Sequence, residues 1–242
     1  MSDRSRSGLR AKQRIGGGRR AARGGSVGVL PPRPDEAAET ALAHAVSMMR
    51  RVWRDDRSMS VPRVPPVTDP SAEVLELYDR GGMRAPDGST LNIFATLAHH
   101  PALLKRWMVF AAHVMSKNTL TPRDRELLIL RVGVRCASPY EFAQHHVIAQ
   151  RCDITVDEID HVQDGPDHPS WSPYDAALLR AADELHDQSR ISDATWTALA
   201  ERLGTEQLLD VVFTVGNYHL VSFALNTFGV EIDEGIPDTL RR

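Results

Sequence analysis

Cysteine is scarce in this chain, with Cys136 and Cys152 the only two among 242 residues. Two thiols cannot build a disulfide scaffold, and their scarcity fits a reducing cytoplasm. Also missing is any uninterrupted apolar run near the ~18 residues that a membrane span needs. No apolar h-region follows the basic start, so neither a secretory signal nor a membrane partner is expected. No stretch alternates apolar and polar residues with period two, which argues against strands. The net charge is only -3, but it is unevenly spread. Residues 1–25 carry eight Lys/Arg and one Asp, a local +7, which leaves about -10 for the remainder. An acidic body disfavours nucleic acid as a partner, except through the basic tail.

What is present is enough apolar content, 42%, to bury one sizeable core. Residues 1–35 are rich in Arg, Gly and Ser and hold almost nothing to bury, so a disordered tail is expected there. Residues 36–70 read as a helix, Ala37–Trp53, followed by a proline-rich linker or arm. Residues 71–236 read as one helical domain. Helices are expected near 71–80, 91–99, 101–117, 122–136, 139–151, 156–163, 173–188, 192–202 and 205–227. Four segments put Ser or Thr three residues before an acid: Thr121–Asp124, Ser138–Glu141, Thr155–Glu158 and Ser172–Asp175. Three of them also place Pro at the first helical position, where its missing N–H costs nothing. The fold class is all-α.

One stretch concentrates groups able to move a proton. Glu126, Ser138, Glu141 and His145 fall in TPRDRELLILRVGVRCASPYEFAQHH with the spacing E-x11-S-x-x-E-x-x-x-H. Glu141 and His145 are four apart and share one helical face, while Glu126 can reach the same point from a neighbouring helix. A carboxylate beside an imidazole exchanges protons at neutral pH. Structural explanations stand beside this one. Glu141 fits the third position of a capping box opened by Ser138, His145 fits a satisfied interior histidine, and Glu126 fits a first-turn acid. The doublets His99-His100 and His145-His146 point about 100° apart on a helix, so neither offers two ligands to one metal. No metal and no organic cofactor are expected.

This spacing resembles the carboxymuconolactone decarboxylase family, whose superfamily includes the alkylhydroperoxidase D-like proteins. The likeness extends over about residues 60–236, through LNIFATLAHHPALLKRW (91–107) and LLDVVFTVGNYHLVSFALNTFGVEID (208–233). It implies an alkylhydroperoxidase D-like helical bundle. The redox branch carries E-x11-C-x-x-C-x-x-x-H, and its two cysteines fall on Ser138 and Glu141. Both thiols are missing, and neither Cys136 nor Cys152 restores the pair. The resemblance therefore points to the decarboxylase branch: a cofactor-independent lyase acting on a small carboxylated or lactone substrate.

In that reading Glu126, Glu141 and His145 are catalytic. His145 acts as acid and base, Glu141 orients it or shares its proton, and Glu126 tunes the pair. Ser138, Arg131 and Arg135 are candidate substrate-binding residues, the arginines for a substrate carboxylate. The alternatives are peroxiredoxin-type antioxidant activity, and a non-catalytic helical oligomer or binding module. The resemblance also implies a homo-oligomer, a trimer or hexamer, with the apolar closing helix as its contact.

Overall fold

The computed structural model describes residues 61–84 and 88–240. The tail expected over 1–35 and the helix expected over Ala37–Trp53 lie outside the described residues. Among the described residues nine α-helices follow one another. They are α1 (Ala72–Gly81), α2 (Asn92–Leu97), α3 (Pro101–Ser116), α4 (Pro122–Arg135), α5 (Pro139–Ala149), α6 (Val156–Asp164), α7 (Pro173–Gln188), α8 (Asp193–Ala200) and α9 (Thr205–Phe228). Each expected range agrees with its helix to within two residues at either end. The only bridge pairing among the described residues is the isolated contact of Arg84 with Thr90. The fold is all-α.

Local chemistry sets the helix starts. Thr121 accepts from the Asp124 amide and Ser172 from the Asp175 amide, each with proline next in the chain. Thr155 and Glu158 form the full reciprocal box. The segment Val61–Pro70 contains no helix and lies against the bundle. Its Arg63 and Val64 amides donate to the Phe228 carbonyl, and the Val67 amide donates to that of Ala95.

α4 is the central element, with α5, α6, α7 and α9 packed around it. The reason is legible in ELLILRVGV, which is apolar on every side apart from Glu126 and Arg131. A helix of that kind has no face to offer water and must be enclosed. Leu127, Leu128, Ile129, Leu130 and Val132 are fully buried, each side chain contributing roughly 1.5–3 kcal/mol of burial free energy.

Two devices then fix how α5 meets α4. At the end of α4 the Ala137 amide donates to the Val134 carbonyl and the Ser138 amide to the Gly133 carbonyl. Ala137 itself is left-handed, at φ 47°. This is a Schellman closure, and it reverses the chain within two residues so that α5 begins at Pro139. Gly133 allows the close approach that follows, because a Cβ there would stand 3.3 Å from the Phe142 backbone nitrogen.

α9 is half core and half surface. Leu208, Val211, Val215 and Leu225 are buried, while Leu209, Phe213, Leu220 and Phe223 on its other side are exposed. By length and composition α9 is apolar enough to cross a membrane, but half of its most apolar window is enclosed by the protein's own helices.

Candidate functional site

Glu126 and Leu127 begin the enclosed part of α4, and Glu141 and His145 lie on the face of α5 pressed against it. The result is a buried chain of polar groups. Glu126 Oε2 stands 2.6 Å from His145 Nδ1, and His145 Nε2 stands 3.1 Å from Glu141 Oε1. Both imidazole nitrogens are thus held by carboxylates from two different helices. At the far end Arg125 closes the chain, its Nε and Nη2 each 3.0 Å from Glu126 Oε1. Tyr218 of α9 packs edge-on against the imidazole with ring centroids 4.9 Å apart. Exposure falls along the chain from His145, at 6%, through Glu141, at 3%, to Glu126, at 0%.

Burial and pairing set the protonation states. Burial works against a charged His145, but the Glu126 carboxylate and then that of Glu141 outweigh it and push its pKa up to about 10. Burial likewise opposes a charged Glu126, yet His145 and Arg125 hold its carboxyl below the usual range. Glu141 moves the other way: burial, helped by the charge on Glu126, raises it despite the His145 hydrogen bond. Near neutrality these directions describe an imidazolium bound to one carboxylate, beside a carboxyl inclined to keep its proton.

Several expected roles change. Ser138 is the N-cap of α5, but its hydroxyl makes no capping bond and is buried without a hydrogen-bond partner. The capping box cannot close here because the Ser138 amide is already committed to the Gly133 carbonyl. Glu141 turns to His145 instead. Arg131 does not face the chain: its guanidinium lies 2.6 and 2.9 Å from the two oxygens of Asp183 and 2.7 Å from the Val162 carbonyl. Arg135 is likewise bound, to Asp187 and Asp183. Both arginines pair with carboxylates of α7, and Arg135 keeps one donor, Nε, without a hydrogen-bond partner. The cation that does adjoin the chain, Arg125, escaped sequence reasoning, as did Tyr218. A residue beside a candidate acid points elsewhere on an ideal helix, and only the long reach of Arg folds it back.

Neither thiol substitutes for the missing pair. Burial pushes Cys136 up to about 11 and also raises Cys152, so both resist forming the thiolate that attacks peroxides. A cavity of about 310 Å³ lies elsewhere, lined by Val67, Tyr78, Thr90 and Asn92 among others, and shares no residue with the chain.

A helical bundle whose central hairpin buries a carboxylate–imidazole–carboxylate chain is the class that fold and site define. Residues 101–184, which contain the whole chain, match the model of the carboxymuconolactone decarboxylase family. That match, together with the AhpD-like fold, supports the carboxymuconolactone decarboxylase and AhpD-like superfamily for this helical domain. Among solved structures, it is similar to a peroxidase-related protein with an alkylhydroperoxidase AhpD core from Ralstonia eutropha JMP134. That likeness has a TM-score of 0.58 and 22% identity, covering 71% of this chain and 93% of that one. The debrominase Bmp8 is similar with a TM-score of 0.61 and 14% identity, over 73% of this chain and 95% of its own. A putative antioxidant defence protein AhpD from Agrobacterium tumefaciens gives 0.53 and 16%, over 57% and 94%. At these identities the likeness is one of fold. No curated protein sequence matches.

Proposed function

We propose that this domain is a cofactor-independent lyase that uses the buried chain for acid–base work on a small carboxylated or lactone substrate. The observation that carries the reading is His145 gripped at both nitrogens, 2.6 Å from Glu126 and 3.1 Å from Glu141. Glu141, inclined by burial to stay protonated, is the proton donor. His145 refills it, and Glu126 with Arg125 holds His145 in place and charged. In a decarboxylation the C–C bond to the carboxylate breaks and CO2 leaves. The electron pair moves into the conjugated carbonyl system, and Glu141 returns a proton to the carbon. Solvent then restores the proton through His145.

The test is turnover of a carboxylated unsaturated lactone in D2O, with trapped CO2 and product mass as readouts. The reading expects CO2 release and one deuterium at the carbon that lost it. Peroxide consumption without CO2 release would replace it with the antioxidant alternative, which the positions of Ser138 and Glu141 disfavour.

We also infer that the exposed face of α9 is covered by a further copy of the chain. Leu209, Phe213, Gly216, Leu220 and Phe223 recur at alternating spacings of four and three, the repeat of a helix–helix seam. All four large side chains in that row are exposed, and a trimer or hexamer would bury them. The two free cysteines suit a cytoplasmic setting.

A further inference from the structure

Outside the buried chain, the end of α4, the last turn of α7 and the middle of α9 bring a thiol and two imidazoles together. His186 Nδ1 stands 2.9 Å from His219 Nε2 and 4.0 Å from Cys136 Sγ. The three donor atoms all lie within 4.8 Å of one another, and all three residues are half-buried. A tetrahedral zinc with Zn–N of ~2.0–2.1 Å and Zn–S of ~2.3 Å would set such ligands ~3.4 and ~3.6 Å apart. The observed separations straddle those values, so side-chain shifts of up to about an ångström would seat the ion.

The surroundings are arranged for ligation. The Val215 carbonyl lies 2.9 Å from His219 Nδ1 and accepts its proton. That bond leaves the lone pair of a neutral His219 on Nε2, the atom facing the other two donors. Asn226 donates to the Cys136 carbonyl at 2.8 Å and fixes the residue that presents the sulfur. We propose that Cys136, His186 and His219 form a site for a zinc-type cation, with the fourth coordination position open to solvent. Soft sulfur with two imidazoles selects such a metal over magnesium or calcium.

Binding expels the Cys136 thiol proton, and the His186 proton moves to Nε2 so that Nδ1 can bind the metal. The ion would clasp α4, α7 and α9 at a point that shares no residue with the Glu126–His145–Glu141 chain. His186 and His219 lie beyond residues 101–184, so two of the three ligands fall outside the segment that matches the family.

The experiment strips the full chain of metal and titrates it with Co2+ and Zn2+ in the absence of small-molecule thiols. The expected result is one Co2+ per chain, with tetrahedral ligand-field absorption and a thiolate-to-cobalt charge-transfer band. Cys136→Ser should abolish that band, and His186→Ala and His219→Ala should each weaken binding ~100-fold or more. Cys152→Ser should leave it unchanged. In the unsubstituted chain, Zn2+ should slow alkylation of Cys136 and spare that of Cys152, a readout that needs no variant to fold. Absence of the charge-transfer band, its survival in Cys136→Ser, or unprotected Cys136 would each overturn the proposal.

Discussion

Glu126 reaches across from α4 to hold His145 of α5 at 2.6 Å, and the contact is closed to solvent on the Glu126 side. Because the pair bridges the central hairpin, its protonation is coupled to folding.

The first prediction follows from that coupling. His145 titrates near 10 in the folded protein and at about 6.5 when unfolded. Between those values the folded state keeps a proton that the unfolded chain releases, so stability falls as pH rises. Below about 6.5 the contribution is complete. Glu126 has a depressed pKa, so its share is present above the ordinary carboxylate range and is lost as pH falls through its folded value. Glu141 has a raised pKa and adds a decline as pH rises above the ordinary carboxylate range. Denaturant unfolding of the parent should show a decline from pH 7 to pH 10, and His145→Asn should flatten it. An unchanged slope in the variant would show that the pair does not titrate with folding.

The second prediction concerns two serines that look alike in sequence. Ser172→Ala removes a bond to the Asp175 amide and should cost about 1 kcal/mol. Ser138→Ala removes a hydroxyl with no hydrogen-bond partner and should change stability by less than about 0.5 kcal/mol. Equal losses in the two variants would restore Ser138 as a cap.

The contrast marks how far the sequence could be read. Helix number and bounds were legible because proline, hydroxyl caps and the apolar period all act locally. The triad was legible because i, i+4 spacing and a two-residue turn leave Glu141, His145 and Glu126 few other places to meet. Whether Glu141 bonds to Ser138 or to His145 was not legible. It depends on where the Ser138 amide goes, and that is decided by the Schellman closure at Ala137. Arg131 was misassigned because its partner Asp183 lies 52 positions away. The cluster of Cys136, His186 and His219 has no signature for the same reason.

A third prediction tests the corrected role of Arg131. Arg131→Ala would leave Asp183 without its bidentate partner and the Val162 carbonyl without its donor. Breaking a buried pair from one side costs roughly 3–5 kcal/mol, and Arg135, 3.6 Å from the partly buried Asp183, lowers that toward the bottom of the range. Urea unfolding should report a loss of that order. A stable variant with raised KM alone would return Arg131 to the substrate.

The seam on α9 yields a fourth. Phe213 is 56% exposed and Phe223 59% exposed, so Phe213→Glu with Phe223→Glu should not harm the fold of one copy. If the stripe is the contact between copies, light scattering should show the mass falling toward that of a monomer while helicity is kept. A mass unchanged from the parent would place the assembly surface elsewhere.

The last prediction separates a structural Glu141 from a catalytic one. Glu141→Gln keeps an oxygen to accept from His145 Nε2, and burial favours the neutral amide over a carboxylate. Stability should therefore hold or rise slightly. The amide cannot give up a proton, so turnover of a verified substrate should fall roughly 10²-fold or more with little change in KM. His145→Asn should cause a comparable loss, since Glu141 then has no group to restore its proton. If the two act as one relay, the double variant should be hardly slower than either single one. Independent action would instead multiply the two losses. Full turnover in Glu141→Gln, with the fold intact, would remove the relay from the chemistry and leave the buried chain as a bracket between α4 and α5.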